Sequence, residues 1–127
     1  MLKLEDWAKA ELIDYSATPA NVDLACKELV LKLADAGWLD YCVSKKFEGL
    51  NPKLNVRSLC IIRETIARFS GLADFVFAMQ GLGSGTISLF GSAEMQEKYL
   101  PDVRKGGEIA AFALTEPDAG SDAAAIT

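Results

Sequence analysis

The sequence contains no histidine among its 127 residues, and cysteine is scarce. Without histidine the chain has no Ser-His-Asp or Cys-His arrangement, no imidazole ligand for zinc and no usual general base near neutral pH. The three cysteines, Cys26, Cys42 and Cys60, are odd in number and show no CxxC spacing, so they indicate neither a disulfide framework nor a metal site and favour a reducing compartment. We therefore expect no catalytic residue and no metal site in this chain.

Positive charge is also sparse, with 13 basic against 18 acidic residues, a net charge of −5 and no basic block. Nucleic acid and an anionic membrane are therefore poor candidates as partners. The stretch from Met1 to Trp7 has early acidic residues and no long apolar run, which is typical of neither a secretory signal nor a transit peptide. We expect a cytoplasmic location.

Half of the residues are apolar, and most of them recur at helical spacing. Capping residues and glycine stops set the predicted ends of the helices. These signals predict four helices, over Leu2–Tyr15, from Thr18-Pro19 to Gly37, from Asn55 to Ser70-Gly71, and from Ser92 to a stop or turn at Pro101, with Gly106-Gly107 closing the helical region.

The stretch from Gly71 to Phe90 is apolar enough to suggest a membrane span, but Asp74 and Gln80 are costly in lipid. Glycines between 81 and 85 predict a helix, a turn and a second short helix. The same glycines do not fit a phosphate-binding loop, because no strand precedes them and no lysine follows. The predicted fold class is mainly α, an orthogonal or up-down bundle of about five to six helices, followed by one strand and a turn.

That strand is predicted at the end of the chain, where an apolar run from Ile109 to Leu114 stops before Glu116-Pro117. A single strand needs partners, which must come from further chain or another molecule, or be missing. A strand end at Thr115, followed by a turn with free N–H groups and the Ser121 hydroxyl, suits hydrogen bonding to a polar ring or a phosphate.

The polar residues of this turn have simpler interpretations. Glu116, Asp118 and Asp122 suggest a calcium loop but lack the EF-hand spacing, and Asp122 is better placed to cap a turn before three alanines. Ser121 lacks the flanking glycines and the base that a nucleophile elbow requires.

Residues 111–122, which read AFALTEPDAGSD, resemble the N-terminal signature of the acyl-CoA dehydrogenases. Residues 91–101, which read GSAEMQEKYLP, resemble that family's Gly-x4-Gln-x3-Tyr-Leu-Pro segment at the expected distance. Members have a helical N-terminal domain, a middle β-domain and a C-terminal four-helix domain. The resemblance implies that residues 1–107 are the helical domain and that residues 108–127 open a β-domain continuing past Thr127.

The resemblance implies α,β-dehydrogenation of an acyl-CoA thioester with FAD as cofactor, carried out by the complete protein and not by this piece alone. A glutamate base would come from the C-terminal domain. The implied partners are the acyl-CoA substrate, an electron-transfer flavoprotein or similar acceptor, and further copies of the chain in a dimer or tetramer.

Matching positions also imply site residues. The expected flavin contacts are Phe112, Ala113, Leu114, Thr115, Gly120 and Ser121, with Thr115 at the pyrimidine edge and Ser121 near both the diphosphate and the pantetheine. The expected wall of the acyl pocket is Asp74, Phe75, Ala78 and Leu82, joined by Ser121. Small residues at 83–85 suggest room for a wide acyl group.

Two other functions stay open at this point. One is a helical module derived from this family that binds acyl-CoA or a protein without redox chemistry. The other is an acyl-CoA oxidase, which would share the flavin site and pass electrons to oxygen.

Overall fold

A computed structural model describes residues 2–16 and 19–126. Five α-helices make up most of these ranges: α1 Leu2–Glu11, α2 Val22–Asp35, α3 Val56–Ala67, α4 Gly71–Phe90 and α5 Ala93–Arg104. Short 3₁₀ turns occupy Ile13–Tyr15, Trp38–Tyr41, Lys45–Phe47 and Ala123–Ala125. The predicted mainly helical bundle is confirmed.

Local capping explains where several helices begin and end. Asn55 accepts a hydrogen bond from the Ser58 N–H at 3.1 Å and Ser92 accepts one from the Met95 N–H at 3.2 Å, as predicted. Gly37, with φ of 76°, ends α2 in the left-handed conformation that glycine adopts without strain.

The start of α2 was predicted three residues too early. Asn21 is the cap, because its side chain accepts from the Leu24 N–H at 3.0 Å, and the helix begins at Val22 instead of Pro19. Thr18, the predicted cap, lies outside the described residues.

The predicted turn at Gly81–Gly85 is wrong, because α4 is one unbroken helix of 20 residues. Gly83, Ser84 and Gly85 are buried, and their small size lets neighbouring elements approach closely, which outweighs the low helix propensity of glycine. At Pro101, where either a stop or a further turn was predicted, α5 continues to Arg104. Within the described ranges no helix, α4 included, has both the length and the hydropathy needed to cross a bilayer.

The core lies around α4, which packs against α2, α3 and α5, while α1 packs against α3. Its largest fully buried side chains are Phe77, Leu12, Leu29, Leu33, Leu39, Ile66 and Leu100. Burial of each such side chain is worth about 1.5–3 kcal/mol relative to exposure, so the core holds α4 firmly in place.

The predicted strand from Ile109 is wrong as well. Residues 108–115, which we call the terminal segment, have no regular secondary structure, and no β-strand forms anywhere in the described ranges. A strand requires a neighbour, and none is available here. A single antiparallel bridge between Glu116 and Ala119 closes the turn that follows, and Asp122 caps the next 3₁₀ turn by accepting from the Ala124 N–H at 3.2 Å, as predicted.

Candidate functional site

An apolar groove of about 390 Å³ runs between α3 and α4. Leu59 and Cys60 line it from α3, and Ala78, Leu82 and Leu89 line it from α4. α3 and α4 follow each other after a short connection, so they pack side by side and leave their outward apolar side chains uncovered along one seam. The groove has the size and apolar lining of a small-molecule site.

The four residues expected at the acyl pocket do not all meet in this groove. Ala78 and Leu82 line it. Phe75 is 59% exposed and borders cavities on the other side of α4, next to Val30 and Met79. Asp74 is placed beside α3.

Asp74 forms a two-point ion pair with Arg63, a residue that also lines the α3–α4 groove. Arg63 Nε donates to Asp74 Oδ1 and Nη2 donates to Oδ2, both at 2.9 Å. These hydrogen bonds raise the pKa of the Arg63 guanidinium above its ordinary value. The positive charge of Arg63 thus balances the negative charge of Asp74 at the wall of the α3–α4 groove. In the sequence, the only indication of this pair was that the two residues lie close to the connection between α3 and α4.

The terminal segment is tied to α4 by Gln80, which the sequence analysis did not identify as a site residue. Its side chain is 1% exposed. Nε2 donates to the Glu108 carbonyl at 3.1 Å and to the Val103 carbonyl at 3.4 Å, and Oε1 accepts from the Ala110 N–H at 2.6 Å. Nε2 donates twice and Oε1 accepts once, so each polar atom of the Gln80 amide has a partner, and these bonds hold Val103, Glu108 and Ala110 against α4.

Gly83, one turn further along the same face of α4, lets the terminal segment come close. A Cβ at this position would lie 2.8 Å from the Ala110 Cβ and 3.1 Å from the Ala111 carbonyl oxygen. Any larger side chain would therefore push the segment away. The sequence signal for this contact was a glycine three residues after a glutamine, at a spacing that places both on one helix face.

Beyond this contact the expected flavin-contacting residues form an open edge. Phe112 is 40% and Leu114 48% exposed, and Ala113 and Thr115 are exposed too. The backbone of residues 111–115 makes no hydrogen bond to the described residues. An exposed edge whose backbone N–H and C=O groups bind no described residue, and which ends in the Thr115 hydroxyl, fits hydrogen bonding to the rim of a planar ring.

Gly120 and Ser121 follow the bridged turn and are exposed, while Ala119, the last bridging residue of that turn, is buried. Ser121 is therefore an exposed residue that follows a turn anchored by the burial of Ala119. The described residues contain no group of three or more carboxylates or thiols arranged to hold a metal ion.

The comparisons with known proteins agree with this architecture. The model of the acyl-CoA dehydrogenase N-terminal domain matches residues 3–107. A probable acyl-CoA dehydrogenase of Bacillus subtilis (strain 168) is 40% identical over 95 residues, which cover 75% of this chain and 16% of that protein.

Several relatives carry the names of reductases. A 3-(aryl)acrylate reductase of Clostridium sporogenes is 39% identical over 101 residues, 79% of this chain and 26% of that protein. The caffeyl-CoA reductase-Etf complex subunit CarC of Acetobacterium woodii is 35% identical over 102 residues, 80% of this chain and 26% of that protein. The chain thus matches between 16% and 26% of the length of these relatives.

Proposed function

Because this chain belongs to the acyl-CoA dehydrogenase family, we propose that it is the N-terminal part of a flavin-dependent enzyme acting on the α,β-bond of an acyl-CoA thioester. The observation that carries the proposal is the arrangement around α4. This one helix lines the apolar α3–α4 groove with Ala78 and Leu82, and it holds the start of the terminal segment, whose later residues are Phe112–Thr115.

In this proposal the groove binds the acyl chain. Its apolar lining excludes water from the chain and gives the thioester a fixed direction. Asp74, Phe75, Ala78 and Leu82 are the proposed acyl-side residues, with Ser121 near the pantetheine. The Arg63–Asp74 pair occupies one wall without leaving a net charge on it.

Residues Phe112–Thr115, together with Gly120 and Ser121, are the proposed contacts to FAD. When bound, the flavin would accept a hydride from the β-carbon. The base for the α-proton would lie in the remainder of the complete protein, because Asp74 is already paired with Arg63 and Glu116 belongs to the bridged turn.

The reverse reaction, reduction of an α,β-unsaturated acyl-CoA, is a second candidate for the same site. It is supported by the reductase names of two relatives. The Etf complex in one of those names supports an electron-transfer flavoprotein as partner. A homo-oligomer of the complete protein is part of the proposal.

The proposal is tested on the complete protein reconstituted with FAD. Mixing it anaerobically with saturated acyl-CoA esters of increasing width should bleach the flavin absorbance, and an α,β-unsaturated ester should reoxidise the reduced flavin. Oxygen consumption during turnover would instead identify an oxidase. Tight acyl-CoA binding without any bleaching would support a non-catalytic module and contradict the proposal.

A matched pair of variants tests the groove. Ala78→Trp fills it and should weaken acyl-CoA binding by at least about tenfold, since a bulky ring occupies the space of the acyl chain. Lys53→Trp, on an exposed loop residue, should leave the affinity unchanged. Equal affinity for the two variants would place the acyl chain elsewhere.

A further inference from the structure

The side chain of Gln80 pairs with the terminal segment much as a neighbouring strand would. Its donor meets the carbonyl of Glu108 and its acceptor meets the N–H of Ala110, the two backbone groups on either side of Ile109. A parallel strand pairs with these same two groups of a neighbour. One buried amide thus takes the place of one peptide unit of a missing strand.

Packing alone does not call for an amide at this position. The 210 Å³ cavity beside it is lined by the apolar side chains of Cys26, Val30, Val76 and Met79. A methionine would fill the same volume, whereas a buried amide costs free energy unless each polar atom has a partner. The carboxamide therefore fixes the position of the segment along the helix, which an apolar side chain cannot do.

This position matters because the next fixed point along the chain is distant. From Ala111 to Thr115 the backbone has no hydrogen bond to the described residues, and the bridged turn begins only at Glu116. Phe112 lies two residues beyond Ala110, so it can be at most about 7 Å away from it. Holding Ala110 at Gln80, with close approach at Gly83, limits where the exposed edge can lie.

We propose that Gln80 and Gly83, which we call the α4 seat, are positioning residues for flavin binding. They act through Ala110 and Ala111 to place the edge Phe112–Thr115, and they do so without touching the α3–α4 groove. This inference rests on the proposed function, in which that edge contacts FAD.

The test compares three variants of the complete protein. Gln80→Met keeps the volume and removes all three hydrogen bonds. Gly83→Ala adds a Cβ that collides with the segment. Gly85→Ala adds the same Cβ to the same helix, but it would meet only Leu54 Cδ2 at 3.6 Å, an ordinary contact, and it is the matched control.

Two quantities are measured. Amide hydrogen exchange at Ala110 should become at least about tenfold faster in Gln80→Met and Gly83→Ala and stay as in the wild type in Gly85→Ala. The dissociation constant for FAD, from titration of its absorbance and fluorescence, should rise at least about tenfold in the two seat variants and not in the control.

Affinity for the coenzyme A ester of a short acyl chain should stay within about twofold of the wild type in Gln80→Met and Gly83→Ala. This separates positioning of the flavin edge from a general loss of structure, which would weaken both ligands. Circular dichroism spectra of the variants are compared with that of the wild type to check that each variant is folded.

The outcomes separate the two proposals. Wild-type protein that binds no FAD would contradict the proposed function, while the exchange measurement would still decide whether the seat holds the segment. Wild-type protein that binds FAD, with both seat variants binding it equally well, would overturn the inference. So would a Gly85→Ala variant that loses as much flavin affinity as Gly83→Ala. If Gln80→Met does not fold, Gly83→Ala and the wild-type protection of Ala110 relative to residues 112–115 still provide the decision.

Discussion

Asn55 begins α3 with one hydrogen bond, from the Ser58 N–H to its side-chain oxygen. The bond satisfies a backbone donor that has no partner within the helix. We expect Asn55→Ala to lower the free energy of unfolding by about 1 kcal/mol, measured by urea denaturation.

Asn55→Asp is the matched control, because it keeps an acceptor and should cost far less. Equal losses for the two variants would show that the cap bond contributes little and that another property of Asn55 is responsible.

Cys42 links stability to alkaline pH. Its thiol is fully buried, and burial raises its pKa from 9.0 to about 12. Between these values the unfolded chain has lost the proton and the folded chain keeps it, so stability is fully present below pH 9 and falls as the pH rises toward 12. The expected loss from this group at pH 10 is about 1.4 kcal/mol.

The measurement is the free energy of unfolding of the wild type and of Cys42→Ala at pH 8 and pH 10. Other groups, including Tyr15, whose pKa is raised by its hydrogen bond to Glu28, titrate in both proteins, so the difference between the two slopes isolates Cys42. Parallel slopes would mean that the thiol does not control this dependence.

At the scale of single residues, the sequence predicted the hydrogen bonds between residues that are close together along the chain. The caps at Asn55, Ser92 and Asp122 involve partners two or three residues away, and each is confirmed. The role of Gln80 could not be predicted in the same way, because its partners are 23 to 30 residues away along the chain.

At the scale of elements, replacing a glycine of α4 by alanine should have opposite effects on the free energy of unfolding at two positions. Gly85→Ala should raise the free energy of unfolding by about 0.5–1 kcal/mol, because alanine loses less conformational freedom in a helix and the new Cβ has room. Gly83→Ala should lower it, because the same gain is offset by a collision with Ala110 and Ala111.

Thermal unfolding of the two variants beside the wild type checks this pair. A rise in both melting temperatures would show that the terminal segment moves aside without cost and that its contact with α4 is weak.

The same helix explains why two elements were mispredicted. Glycine spacing within 81–85 predicted a turn, but those glycines mark where Ala110, Cys42 and Leu54 approach the helix. The apolar pattern of Ile109–Leu114 predicted a strand, but these residues form no regular secondary structure, because pairing depends on a neighbour that a local pattern cannot supply. Tertiary contacts decided both cases.

For the whole molecule, the helical bundle and the family followed from the sequence, and the match over residues 3–107 bears out that identification. The proposed site residues remain predictions. Ala78 and Leu82 line the α3–α4 groove, whereas Phe75 lies on another side of α4. The edge Phe112–Thr115 is exposed. The chain therefore contributes only part of the proposed acyl site and part of the proposed flavin site.

We expect the 127-residue chain on its own to retain no FAD after purification with added cofactor. Its exposed edge provides only part of the hydrogen bonds and stacking that a flavin requires. Absorbance near the flavin band after gel filtration measures this, with the complete protein as control. Stoichiometric FAD retained at micromolar protein would contradict the expectation.

The unbroken course of α4 also constrains how its length can change in evolution. Each residue of an α-helix advances the side chains by about 100° around the axis. Inserting or deleting one residue between Gln80 and Leu82 would turn the groove face away from the seat face, so no such change preserves both. Related proteins that differ in the acyl groups they accept should therefore vary the side-chain sizes at positions 78 and 82 and keep the number of residues between 78 and 83 constant.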